Sequence, residues 1–210
     1  MINNTKPVIL VSSVVYGIEE LLERVYALLT AMGYDVWMSH KGTMPVVPDR
    51  TAFENCLAAV ENCDIFLSII TPQYGSGKDK SMTRSIVHEE LLRAIKLDKP
   101  RWILAHDHVV FTRSLLRKLG YKTKKDWGKL NLKKSDIFED LRIIEMYEAA
   151  IKHEINELNQ RQGNWVQKYY SDEDVQLFAV SQFYRFQDIE DFLKKQKKPE
   201  MKKANKGGTE

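Results

Sequence analysis

The fold is decided by four apolar runs, the first of which is Pro7-Val8-Ile9-Leu10-Val11-Ser12-Ser13. The later runs are Tyr34-Asp35-Val36-Trp37-Met38, Asp64-Ile65-Phe66-Leu67-Ser68-Ile69-Ile70 and Arg101-Trp102-Ile103-Leu104-Ala105. Each run has the length of a strand, and the first and third are apolar at nearly every position, as in strands buried on both faces. Segments with apolar residues at helical spacing separate the runs. This alternation predicts a parallel sheet between two layers of helices.

Three helices are predicted between these strands. The first runs from Tyr16 to Met32 and stops at Gly33, a usual helix terminator. A long loop with Gly42, Pro45 and Pro48 follows the second strand over residues 39–50. Thr51 then starts the second helix, with Glu54 three residues on as the partner of a capping box. The third helix follows Ser85.

The second half of the chain predicts a helical extension. Helices are expected over residues 111–119, 136–158 and 171–196, with a lysine-rich loop over 118–134 and a break at 163–167. We therefore divide the chain into an α/β core at 1–110, a helical extension at 111–196 packed on that core, and a basic tail at 197–210. The lysine, proline and glycine content of the tail predicts disorder.

Composition excludes several classes of partner. The net charge is +3, and the tail alone carries five lysines and two glutamates, so the remainder of the chain is neutral. A neutral domain argues against a nucleic-acid partner. No apolar run approaches the roughly 20 residues of a membrane span, so no membrane partner is expected. The N-terminus lacks the pattern of a signal peptide, and Cys56 and Cys63 are predicted to be buried thiols, which together favour a cytoplasmic location.

One carboxylate in the third helix lies on the wrong face. In Ser85-Ile86-Val87-His88-Glu89-Glu90-Leu91, a step of about 100° per residue places Glu90 inside the apolar arc and Glu89 on the polar side. A carboxylate that faces a core is costly unless it is paired or has a function. Glu90 is therefore the candidate catalytic residue, and an ion pair with Arg84 or Arg93 is the structural alternative.

The candidate site lies where the predicted strands end. In open parallel sheets, ligands bind beyond the carboxyl ends of the strands. Those ends carry Ser12 and Ser13 after the first strand, Ser39 and His40 after the second, Thr71, Gln73 and Tyr74 after the third, and His106-Asp107-His108 after the fourth. Two histidines around one aspartate lack a third spaced ligand, so we interpret them as rim or capping residues and predict no metal. The sequence contains neither a GxGxxG fingerprint nor a P-loop.

Four segments resemble the TIR (Toll/interleukin-1 receptor) domain, in particular the TIR-like group of bacterial proteins. They are residues 8–13 with the helix that follows and Gly33-Tyr34-Asp35-Val36-Trp37; the proline-containing loop 39–48; residues 64–70 followed by Thr71-Pro72-Gln73-Tyr74; and residues 85–91 followed by Ala94 and Lys99-Pro100. The resemblance covers roughly residues 7–106 and implies a flavodoxin-like, doubly wound α/β fold. Residues 163–167 and 172–174 also resemble the segment that closes the bacterial group.

The resemblance also implies a reaction. Aligned on this motif, the glutamate of the NAD-cleaving members falls on Glu90, which implies cleavage of the N-glycosidic bond between nicotinamide and ribose, by hydrolysis or cyclisation. NAD is then the substrate, no separate cofactor is required, and antiviral defence in bacteria is the implied setting. Ser12 and Ser13 are candidate ligands of ribose or phosphate, Trp37 and Tyr74 are candidates to stack on a base, and Ser85 is a further candidate binding residue.

Two alternatives remain open. The first is a catalytically silent TIR-like adaptor or nucleotide sensor that acts by self-association. The second is a nucleoside deoxyribosyltransferase, because that family shares the layout and also directs a glutamate at a sugar C1. The implied protein partner is a second copy of the chain, a TIR-like protein or a sensor protein.

Overall fold

The chain forms a five-stranded parallel sheet in the strand order β2-β1-β3-β4-β5. A computed structural model describes residues 6–75, 84–131, 133 and 137–204. The strands are β1 (Val8–Ser13), β2 (Asp35–Trp37), β3 (Ile65–Ile70), β4 (Arg101–His106) and β5 (Val166–Tyr169), and every neighbouring pair is parallel. This order is that of the flavodoxin-like doubly wound fold, as predicted.

Helices cover both faces of the sheet. They are α1 (Glu19–Ala31), α2 (Ala52–Asn62), α3 (Ile86–Lys96), α4 (Asp107–Lys118), α5 (Lys124–Trp127), α6 (Arg142–Ala150), α7 (Asp172–Phe183) and α8 (Phe186–Ala204), with short 3₁₀ helices at Ser39–Lys41 and Leu158–Gln160. Alternate strand residues serve the two layers. Leu10 and Phe66 pack under α2 and α3, whereas Ile9 and Ile65 pack under α1 and α7.

Local signals in the first half act as predicted. Thr51 and Glu54 form both halves of a capping box at the start of α2. Gly33 takes a φ of 100° just after α1, a conformation that glycine adopts without strain. Ser85 caps α3, because its side chain accepts a hydrogen bond from the His88 amide. These devices set the positions at which α2 and α3 enter the site.

The second half differs from the prediction at several elements. Helix α4 begins at Asp107 instead of residue 111, and α5 lies inside the loop predicted over 118–134. The segment 163–167, predicted to be a break between helices, leads into β5, which pairs with β4. Residues beyond 110 therefore belong to the sheet. The helix predicted over 136–158 covers only Arg142–Ala150, because Lys152 just beyond its end has a φ of 49°; residue 136 lies outside the described residues. The helix predicted over 171–196 is divided into α7 and α8.

The helix α8 enters the C-terminal tail and continues to Ala204. Residues 205–210 lie outside the described part of the chain, and the disorder expected from residue 197 stays a prediction. Among the described residues, no helix combines the length and the apolar character needed to cross a bilayer.

Candidate active site

A cleft opens at the point where the strand order reverses. The crossovers after β1 and β3 run to opposite faces of the sheet, which leaves a crevice at the carboxyl ends of these neighbouring strands. The cleft has a volume of about 460 Å³, within the range of small-molecule sites. The residues that line it come from five parts of the fold: β1 and its loop, the start of α1, the 3₁₀ helix Ser39–Lys41 with the loop after it, α2, and the β3–α3 connection with α3.

Glu90 lies at the base of this cleft. Glu90 is only 6% exposed, which confirms the prediction that it lies on the apolar side of α3. The Ser12 hydroxyl donates a hydrogen bond of 2.5 Å to Glu90 Oε2. Burial raises the pKa of Glu90 to about 7, although hydrogen bonds from Ser12 and Cys56 oppose that rise. Near neutral pH, the carboxyl is thus divided between its ionised and protonated forms.

The structural alternative for Glu90 was an ion pair with a neighbouring arginine. Arg84 pairs instead with Glu89 at 3.1 Å, and Arg93 pairs with Glu61. Within the described residues, no cation forms a salt bridge with Glu90. Among the described residues, the carboxyl is therefore held by an uncharged donor, the Ser12 hydroxyl, and a carboxyl has further acceptor sites for a ligand in the cleft.

Cys56 is a second functional group of the cleft, and its role was missed by sequence reasoning. The sequence indicated a core cysteine, and both cysteines are indeed free and buried. Cys56 nevertheless lines the same cleft as Glu90, and its thiol favours the ionised form of that carboxyl by lowering its pKa. Burial, and secondly the charge of Glu90, raise the pKa of this thiol to about 12. No motif in the sequence links positions 56 and 90, because the two helices meet only in the folded chain.

Further side chains also line the cleft. Ser39 and His40 follow β2, at one of the strand ends that the sequence predicted to face the ligand. Tyr16 and Glu19 from the β1–α1 region and Met44 from the proline-containing loop were not singled out by the sequence. Burial and the nearby Lys41 lower the pKa of His40, which favours the neutral imidazole. Among the described residues that line the cleft, none is a lysine or an arginine. The charged groups among these described lining residues, Glu19 and Glu90, are acidic.

Gly75 lets the loops after β1 and β3 approach closely beside the cleft. A Cβ added to Gly75 would lie 2.9 Å from Cγ2 of Val14, and the residue has a φ of 80°. Both the space and the backbone conformation therefore require glycine at this position.

The predicted binding residues separate into two groups. Ser12 and Ser13 line the cleft beside Glu90. Trp37, Tyr74 and Ser85 are not among its lining residues. Trp37 is half-buried, and its indole N–H donates to Asp35 Oδ2 at 3.3 Å.

Tyr74 and Ser85 form a buried network behind the cleft. The Tyr74 hydroxyl is 2.9 Å from Nδ1 of His88 and accepts a hydrogen bond from the Ser85 amide at 3.2 Å. The guanidinium of Arg142 lies over the Tyr74 ring. Burial lowers the pKa of His88 to about 3, assisted by nearby cations, so this imidazole is neutral. The network fixes the start of α3 and thereby the position of Glu90 in the cleft.

His106, Asp107 and His108 occupy the end of β4. Nδ1 of His106 accepts a hydrogen bond from the His108 amide at 3.1 Å and caps α4, in agreement with the capping interpretation. No cluster suited to a metal ion occurs among the described side chains.

The fold and cleft define a class of protein: a flavodoxin-like α/β domain with a buried carboxyl at its switch point. A family model described as "Domain of unknown function (DUF4062)" matches residues 8–177, and the chain belongs to this family. The match includes β5 and the first half of α7. No curated protein matches the chain. A crystal structure of a conserved protein from Enterococcus faecalis V583 is similar over 84% of this chain and 99% of the other, with a TM-score of 0.41 and 10% sequence identity.

Proposed function

We propose that the protein cleaves the N-glycosidic bond between nicotinamide and ribose in NAD, with Glu90 as the catalytic residue. The observation that carries the proposal is the buried carboxyl of Glu90 in a cleft of ligand size, where no cation among the described residues forms a salt bridge with it. The TIR-like resemblance of the motif around Glu90 supports the choice of bond. The resemblance also supports a role in bacterial defence, and the free cysteines fit the reducing cytoplasm.

The chemistry suits the groups present. As nicotinamide departs, positive charge develops at C1 of the ribose, and an adjacent carboxylate stabilises this charge or attacks the carbon. The poorly hydrated surroundings of Glu90 strengthen this interaction, since the local dielectric is low. Nicotinamide leaves as a neutral molecule, so no general acid is required. In NAD the nicotinamide ring is cationic, and the acidic lining of the cleft favours that half of the molecule.

The roles of the neighbouring residues follow from their positions. Ser12 holds the carboxyl through its short hydrogen bond, while Ser13 and His40 lie where they would contact ribose hydroxyls. Tyr74 and Ser85 act by fixing α3.

The test uses the purified full chain, NAD and a chromatographic measurement of released nicotinamide. We expect Glu90→Gln and Glu90→Ala to abolish release, because the charge opposite C1 is lost. Glu89→Gln is the matched control: the two carboxylates are adjacent in sequence, but Glu89 pairs with Arg84 on the surface side of α3. It should retain most of the activity. Equal loss in both variants would contradict the assignment of Glu90.

Assays with other substrates and at several protein concentrations distinguish the alternatives. Activity on deoxynucleosides without release from NAD would indicate the deoxyribosyltransferase chemistry. Binding of NAD without turnover at every protein concentration tested would favour the silent adaptor or sensor. A range of concentrations is needed because the resemblance implies self-association or assembly with a TIR-like or sensor protein.

A further inference from the structure

We propose that the Cys56 thiol positions the Glu90 carboxylate for the reaction proposed above, on which this inference rests. The geometry that carries it is a convergence of three elements on one cleft. Ser12 comes from β1, Cys56 from α2 and Glu90 from α3, and all three side chains line the same cavity. The Ser12 hydroxyl donates to Glu90, and the Cys56 thiol faces the same cavity from the neighbouring helix.

The position of Cys56 is itself fixed by the residue before it. Asn55 is 4% exposed, and its side chain accepts a hydrogen bond from the Val47 amide at 2.8 Å. Its amide group donates to the carbonyl oxygens of Val47, Arg50 and Thr51. These bonds tie the first turn of α2 to the proline-containing loop. Cys56 therefore presents its thiol to Glu90 from a rigid support, as a positioning group requires.

The thiol is suited to donating a hydrogen bond and poorly suited to attack. Its pKa is raised to about 12 by burial and then by the carboxylate, so the thiolate needed for nucleophilic catalysis is scarce at neutral pH. A neutral thiol next to a carboxylate is a weak donor that favours the ionised acceptor. Cys56 therefore orients Glu90 and favours its ionised form, without contacting the bond that breaks.

Other titratable groups also face this site. Tyr16 and Glu19 lie on the α1 side of the cleft and His40 follows β2, whereas His88 on α3 is bound to Tyr74 behind it. All of them remain unchanged in Cys56 variants. A difference between such variants in the pH dependence of activity therefore reports on the contact between Cys56 and Glu90.

The experiment compares Cys56→Ala, Cys56→Ser and Cys63→Ala with the wild type, using kcat and KM for NAD as functions of pH. In Cys56→Ala we expect kcat to fall about three- to tenfold with little change in KM, and the acidic limb of the profile to move to higher pH. Cys56→Ser restores a donor and should recover both. Cys63→Ala removes a buried thiol outside the cleft and should leave both unchanged.

A second measurement separates failure of this inference from failure of the proposed function. The titration of the Glu90 carboxyl is followed by ¹³C NMR, with Glu90→Gln to assign its signal, and needs no turnover. If the wild type does not cleave NAD, a higher Glu90 pKa in Cys56→Ala still supports the positioning contact. An unchanged kcat and pH profile, or an unchanged titration, in Cys56→Ala would overturn it.

Discussion

At the scale of single residues, the burial of the Glu90 carboxyl lowers the stability of the folded protein. Burial favours the protonated carboxyl, and the two donors recover only part of the lost hydration. A group whose pKa is higher in the folded chain contributes stability below its ordinary pKa of 4.5 and loses it as the pH rises through about 7. Ionised Glu90 is therefore destabilising, and such residues concentrate at functional sites.

This reasoning predicts that Glu90→Gln is more stable than the wild type in alkaline solution. Glutamine resembles the protonated carboxyl in shape but carries no charge at any pH. The stability advantage of the variant should grow by about 2–3 kcal/mol between pH 5 and pH 8. Urea unfolding at the two pH values measures it. Glu89→Gln should lack this trend, and a Glu90→Gln protein that is less stable at pH 8 would contradict the prediction.

The sequence identified part of the site at this scale. Glu90 is recognisable because apolar residues recur with the period of a helix, and Glu90 is a carboxylate at one of those apolar positions. Ser12 and Ser13 are recognisable because strand ends face the ligand side of a parallel sheet. The nearness of Cys56 to Glu90 was not predictable, since it depends on how α2 lies beside α3. The same holds for Tyr74, whose hydroxyl is directed at His88.

At the scale of elements, the proline-containing loop depends on α2 for its conformation. The Asn55 side chain completes four hydrogen bonds with the backbone of residues 47–51. The loop contains no regular structure of its own between the 3₁₀ helix Ser39–Lys41 and α2. It carries Met44, which is 7% exposed and lines the cleft. One asparagine thus links the wall of the cleft to a rigid helix.

We therefore expect Asn55→Ala to lower the free energy of unfolding by about 2–3 kcal/mol. The substitution leaves the buried Val47 amide and several carbonyl groups without their partner. Asn62 on the same helix is a suitable control, because it is exposed and makes a single bond to the Ala58 carbonyl. Asn62→Ala should cost about 0.5 kcal/mol or less. Urea unfolding compares them, and equal losses would show that the loop does not depend on Asn55.

The elements also show where sequence reasoning stops. Strands β1 and β3 are buried on both faces and appear as continuous apolar runs. Strand β5 is a short edge strand with only partial burial, and its sequence Val166-Gln167-Lys168-Tyr169 has no such run. Its strand conformation comes from pairing with β4, more than 60 residues earlier in the chain. Contacts of that range leave no local pattern.

At the scale of the whole molecule, the C-terminal elements complete the sheet rather than extend it. Tyr169 of β5 and Val175 and Phe178 of α7 lie in the same apolar cluster as Leu21 and Leu104. Helix α6 adds Ile143 and Ile144 to the cluster on the other face. The Tyr34 hydroxyl donates to the carbonyl of Phe183 at the end of α7. Both faces of the sheet are thus closed by residues from the second half.

This arrangement predicts the outcome of truncation. A chain that ends at residue 110 should not unfold cooperatively, because it lacks β5, which pairs with β4, and because both apolar clusters become exposed. A chain that ends at Lys195 keeps Leu193, the last buried side chain described in α8, and should unfold in one transition near that of the full chain. Circular dichroism during urea unfolding distinguishes the two. If the shorter chain unfolded cooperatively, the first 110 residues would be a domain in their own right, and the cleft, whose lining ends at Glu90, would be expected to remain in it.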